Sequence, residues 1–122
     1  MKALIVKPGE HPVLGELADL KAMQECVGGI ITAVCPWEDT PAVLVCDDEG
    51  LYHDGDWNRY ICPGVAIKGT FFICGMDDSD DFIDISEELL ERFTEEFWEP
   101  HLFIQTGRSM LVLDKSGPKA IL

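Results

Sequence analysis

A chain of 122 residues is long enough for one hydrophobic core and too short for two, and its apolar fraction of 47% is ordinary for a globular domain. Nine basic residues face 23 acidic ones, and the resulting net charge of −14 argues against non-specific binding to nucleic acid or to an anionic membrane surface. No segment approaches the ~20 consecutive apolar residues that span a bilayer.

The opening stretch, Met1 to Pro8, is interrupted too soon for a signal peptide. Cys26, Cys35, Cys46, Cys62 and Cys74 are odd in number, and no two form a CxxC pair. They read as reduced, mostly buried small hydrophobes of a cytoplasmic protein.

Ala3 to Val6 is an apolar run closed by Pro8-Gly9 and predicts a first strand, followed by a polar connection through His11-Pro12. Asp19 is an N-cap for a helix with Leu20, Met23 and Val27 on one face, and Gly28 ends it. Ile30 to Val34 predicts a second strand and Ala42 to Cys46 a third. Asp47 to Gly50 then turns into Leu51-Tyr52, so that this piece and the third strand form a hairpin. His53 to Arg59 reads as irregular.

Gly69 to Gly75, Gly-Thr-Phe-Phe-Ile-Cys-Gly, has no charge and no proline, which predicts a strand buried on both faces. It starts as early as Val65. From Asp77 to Glu99 there are eleven acidic residues and one basic residue, Arg92. Ser86 caps a helix whose Leu89, Leu90, Phe93 and Phe97 form an apolar stripe, with Pro100 as its stop. The tail carries apolar patches at Leu102 to Ile104 and Met110 to Leu113, with a last turn at Asp114 to Gly117. No linker divides the chain, so residues 1–122 read as one α+β domain. Its expected core is a small, mostly antiparallel sheet of about four to five strands with two helices packed on it. Because Phe71 to Ile73 is apolar on both faces, self-association into a homo-oligomer is a reasonable expectation.

Val6-Lys7-Pro8-Gly9, Met23 to Gly29, Val34-Cys35-Pro36-Trp37, Leu44 to Gly50, Asn58-Arg59 and Gly69 to Gly75 follow in order, and then comes a serine-led acidic helix with Phe97 and Pro100. In these pieces, over about residues 1–103, the chain resembles the domain of unknown function 3846 family, small proteins of phages, plasmids and other mobile elements. Residues 104–122 form an extension. The resemblance implies a mobile-element setting inside a bacterial host and carries no assigned activity or catalytic residue.

The residues mark no local chemistry. Asp54-Gly55-Asp56-Trp57-Asn58 starts like a calcium loop, but Arg59 stands where the sharp turn needs glycine, and Val65 stands where a bidentate glutamate is needed. His11, His53 and His101 are near no cysteine pair, so no metal and no cofactor is expected. No phosphate-cradling glycine loop and no activated nucleophile is marked, and the expectation is a binding protein rather than an enzyme.

Two contact sites compete. The acidic stretch 77–99 offers Asp80, Asp81, Asp84, Glu87, Glu88, Glu91, Glu95 and Glu96 to a host protein with a basic surface, either as a contact face or as an imitation of nucleic acid. Against this stands the ordinary role of a charged helix face, which is to be solvated. The alternative is a pocket near Asn58 and Arg59 that sequesters a nucleotide-like signalling molecule, with Trp57, Trp37 and Lys68 as further contacts. Arg59 equally suits an internal role, bonding nearby acids or capping loop carbonyls. Trp37 equally suits covering the core edge.

Overall fold

The computed structural model describes residues 1–53, 55–114 and 116–120. In chain order the elements are β1 (Lys2–Val6), β2 (Val13–Glu16), α1 (Leu20–Val27), β3 (Ile31–Val34), β4 (Ala42–Asp47), β5 (Trp57–Cys62), β6 (Val65–Lys68), β7 (Phe71–Met76), β8 (Phe82–Ile83), α2 (Glu87–Glu96), β9 (Leu102–Thr106), β10 (Ser109–Asp114) and β11 (Gly117–Ala120). The fold is α+β, with more strands than the four to five expected. Six strands make the main sheet, in the order β2–β1–β7–β4–β3 with β8 also on β7, while β5–β6 and β9–β10–β11 form two smaller sheets. Every pairing among the described residues is antiparallel.

β7 is central because both of its faces are apolar and both are covered. Its period of two sends Phe71 and Ile73 to one side and Phe72 and Cys74 to the other. Ile73 lies between Leu4 of β1 and Leu44 of β4, and Phe72 lies between Ile5 and Val45, so the flanking strands repeat the same division. On one face Leu89, Phe93 and Phe97, at the spacing of helical turns, close over Phe71 and Ile73, joined by Ile67 of the β5–β6 hairpin. On the other face Val27, with Ala22, Met23 and Cys26, covers Phe72, Cys74, Val43 and Val45. The two helices thus flank the sheet from opposite sides. The apolar faces of Phe71 to Ile73 are filled within one chain, which removes the reason to expect a second copy there.

Both helix ends follow from local chemistry. Asp19 accepts the N–H of Ala22 and Ser86 Oγ accepts that of Leu89, each satisfying an orphan donor of the first turn. Gly28 closes α1 with φ +88°, and its N–H bonds to the Gln24 carbonyl. Neither described helix is long and apolar enough to cross a membrane.

Four expectations need correction. The connection after Pro8 contains β2, an edge strand whose Val13 and Leu14 are both about half exposed, so it lacks the alternation that marks a strand. Leu51-Tyr52 is no hairpin partner: it lies in a 3-10 turn, Gly50–Tyr52, and β4 pairs back onto β3 instead. The stretch read as irregular ends in a strand, because β5 begins at Trp57. Val65 does not begin the central strand either. It begins β6, and Gly69, at φ +83°, turns the chain before β7 starts.

The tail forms the three-stranded sheet β9–β10–β11, anchored by the buried Met110 and Val112 of β10. The turn expected at Asp114 to Gly117 joins β10 to β11, although Lys115 within it lies outside the described residues. Burial alone would raise the Asp114 carboxyl. The hydroxyl and N–H of Ser116, at 2.7 and 2.8 Å, and the Lys119 ammonium, at 3.1 Å, outweigh it and hold the group down to about 2. A carboxyl depressed in the folded state stabilises above its ordinary value of 3.8, and that contribution is lost as the pH falls through about 2. The amide protection factors of Ser116, Gly117, Lys119 and Ala120 are therefore expected to fall between about pH 4 and pH 2, and Asp114→Asn to show that lower protection already at neutral pH.

Candidate functional site

Strand β5 carries the pair singled out in the sequence, and a register shift between Trp57 and Arg59 decides its orientation. The bulge breaks the strand alternation, so the consecutive residues Asn58 and Arg59 both turn inward and are fully buried. Asn58 donates from Nδ2 to the carbonyls of Val6 and Gly69, each at 2.8 Å, and its Oδ1 accepts from Arg59 Nη1 at 2.9 Å. Arg59 Nε and Nη2 both bond the Phe97 carbonyl, at 3.3 and 2.9 Å. Nη2 also reaches the Glu10 carbonyl at 2.7 Å, and Nη1 the Asn58 carbonyl at 3.2 Å.

Every nitrogen of the guanidinium is thus engaged by oxygens of the fold, none of them a carboxylate. The cation sits at the C-terminal end of α2, where the helix dipole favours positive charge and the last carbonyls lack partners. It ties that end to β5 and to the loop before β2. Desolvation lowers its pKa to about 10, which leaves it charged at neutral pH. Arg59 and Asn58 are an internal brace, and this corrects the expectation that they face a ligand: no donor of either is left for one.

The other residues of the expected pocket lie apart. Trp37 packs on Phe93, ring centroids 4.4 Å apart, and covers the edge of the α2-side core. Trp57 stacks on Phe103 of β9 at 5.7 Å and lines an open cleft of about 340 Å³ with Pro8, Gly9, Asp56 and His101. Lys68 lines two other cavities, about 170 and 180 Å³, that share Asp47 and Gly50. The Asp47 carboxylate there accepts the Glu49 N–H and meets His53 Nδ1. The calcium-like loop begins at Asp54, which lies outside the described residues, and the Asn58 oxygen it would need is already bonded to Arg59.

The acidic stretch divides into a loop and a helix. In the loop Asp77 Oδ1 accepts the N–H groups of Ser79 and Asp81, while Asp80 and Asp81 are exposed and Asp84 Oδ1 accepts the Lys2 N–H. On α2, Glu87, Glu88, Glu91 and Glu95 are exposed and Glu96 is half-buried. Glu87, Glu91 and Glu95 recur every four residues, about 6 Å of helix rise apart, and so line up along one side. Among the described residues the ion pairs join Met1 to Glu16, His53 to Asp47 and Glu49, and Lys119 to Asp114. None of them uses an acid from 77–99. Arg92, the single cation of the stretch, is turned to the Thr40 hydroxyl and over the Phe93 ring.

Cys46 and Cys74 are buried, Cys26 and Cys62 half-buried and Cys35 exposed, which corrects the expectation of mostly buried thiols. All five cysteines are free, and burial raises the thiols of Cys26, Cys46 and Cys74, the last to about 12, away from the thiolate form. His11 stacks on Trp98 at 4.0 Å, and His101 Nδ1 accepts the Tyr60 N–H. No group of three potential metal ligands occurs among the described residues.

The cleft at Trp57 was not legible in the sequence. Its wall depends on Phe103, 46 residues downstream of Trp57, and no local sequence signal joins the two.

No curated protein matches the chain, and no solved structure does. The family model described as Domain of unknown function (DUF3846) matches residues 1–98, leaving β9, β10 and β11 beyond the matched region. That match covers most of the 122 residues, and the chain belongs to the DUF3846 family.

Proposed function

We propose that this chain is a non-enzymatic accessory protein of a phage or mobile element, acting in the bacterial cytoplasm. It counters or modulates host machinery by binding a host protein with a basic surface. The contact face is Asp80, Asp81, Asp84, Glu87, Glu88, Glu91, Glu95 and Glu96, presented as a row of carboxylates that imitates nucleic acid.

The observation that carries this reading is that, beyond Glu87 and Glu88 in its favourable first turn, α2 keeps its acidic charges against its own stability. Glu95 and Glu96 occupy the last turn, where the dipole disfavours negative charge, and no basic residue is there to offset them. Glu87–Glu91 and Glu91–Glu95 are like-charge pairs four residues apart, each unfavourable by ~0.2–0.5 kcal/mol. A merely solvated face gains nothing from that arrangement, since alternating signs would solvate it as well. A complementary basic surface would convert the repulsion into attraction and into faster association. The alternative, sequestration of a nucleotide-like molecule, retains Lys68 as a cation but not Arg59.

The test is affinity capture from host cells, with the wild-type chain beside a variant carrying Glu88→Gln, Glu91→Gln, Glu95→Gln and Glu96→Gln. Basic host proteins are expected on the wild type and not on the variant. Equal recovery on both would remove the acidic face from the function.

A further inference from the structure

The open cleft of about 340 Å³ beside β5 shares no described lining residue with the acidic face and has its own chemistry. Its lining is Pro8, Gly9, Asp56, Trp57, His101 and Phe103. Trp57 and Phe103 stack with an interplanar angle of 23°, an aromatic pair that joins β5, inside the residues matched by the family model, to β9, beyond them. Asp56 is exposed and takes part in no ion pair of the described residues. The nearest cation in sequence, Arg59, is held inside the fold by Phe97, Glu10 and Asn58. His101 accepts the Tyr60 N–H through Nδ1, which requires that nitrogen to be unprotonated.

Aromatic faces and a carboxylate, with no lysine or arginine among the described lining residues, select a cation that also has a flat or aliphatic body. A guanidinium suits this best: it stacks on a ring within ~6 Å of the centroid and bonds a carboxylate through its fork of N–H donors. Among the charged side chains of the described lining, a phosphate would meet the negative Asp56. We infer that the cleft anchors an arginine side chain of the basic partner protein, with the guanidinium plane on an outer face of the Trp57–Phe103 stack and Asp56 on its N–H groups. This rests on the reading of a basic protein as partner. It adds a single-residue anchor, the kind of aromatic-and-arginine contact that dominates interface energies.

Phe103 and His101 lie beyond the residues matched by the family model. The anchor is therefore completed by residues beyond the matched region, which would set its choice of partner.

The experiment is NMR titration of the intact protein with the peptide Gly-Gly-Arg-Gly-Gly, following the indole N–H resonances of Trp57 and Trp37. The expected result is a saturable shift of Trp57 with Trp37 unmoved, and at least tenfold weaker binding of the same peptide with citrulline, the neutral isostere of arginine. Asp56→Asn and Phe103→Leu are expected to weaken the arginine peptide about fivefold each. Equal binding of the citrulline peptide, or no shift at Trp57, would overturn the proposal. Free arginine binding tenfold more tightly than the peptide would overturn the assignment to a protein partner. The four-glutamine variant of α2 is expected to bind the peptide as the wild type does, so failure of the acidic face and failure of the cleft read out separately.

Discussion

Arg59→Ala is expected to lower the folding stability by about 3 kcal/mol or more, and the melting temperature by roughly 10 °C or more. The side chain is fully buried, and its removal leaves the carbonyls of Phe97 and Glu10 and the Asn58 amide oxygen without their donors. Each buried acceptor left unpaired costs ~1–3 kcal/mol, and the vacated volume adds a cavity. The end of α2 also loses the charge that complements its dipole. Arg59→Lys is expected to recover only part of the loss, since one ammonium cannot span the oxygens that the planar guanidinium bridges. Circular dichroism melting checks both variants. A folded Arg59→Ala protein melting within about 2 °C of the wild type would contradict the brace and return Arg59 to the surface as a ligand residue.

Neutralising the face of α2 is expected to act in the opposite sense. Glu88→Gln, Glu91→Gln, Glu95→Gln and Glu96→Gln together remove both like-charge pairs, Glu87–Glu91 and Glu91–Glu95, and relieve the charge against the helix dipole at Glu95 and Glu96, while Glu88→Gln gives up one favourable first-turn charge. Exposed charges of this kind contribute ~0.3–1 kcal/mol each near a helix end and less inside it, so the sum is a gain of about 1–2 kcal/mol. The melting temperature should rise by several degrees in low salt, and the gain should shrink at 1 M salt, where charges are screened beyond ~3 Å. Binding to a basic partner should fall at least tenfold in the same variant. A variant at once more stable and inactive is the signature of a functional charge cluster. If stability stays flat and capture is unchanged, the glutamates are only solvated.

The parts of the fold that could be read from the sequence are those whose signal is local. Asp19 and Gly28 bound α1, Ser86 opens α2, and the unbroken apolar run Phe71 to Cys74 marks a strand covered on both faces. β2 was illegible because an edge strand with both Val13 and Leu14 exposed has no buried face to show. β5 was illegible because its bulge places Asn58 and Arg59 inside together, which defeats a period of two. Of the site, the acidic row was legible because it is contiguous in the chain. The fate of Arg59 was not, because Glu10 and Phe97 become its partners only once β1, β5 and α2 have come together.

The central claim is that the acidic face occupies a surface that otherwise receives nucleic acid. The most direct measurement is competition: a captured basic host protein, bound to a labelled DNA duplex, is titrated with this chain and the fluorescence anisotropy of the duplex is followed. Stoichiometric release of the duplex is expected, with no release by the four-glutamine variant. A ternary complex, in which the protein partner holds both the duplex and this chain, would contradict the imitation of nucleic acid.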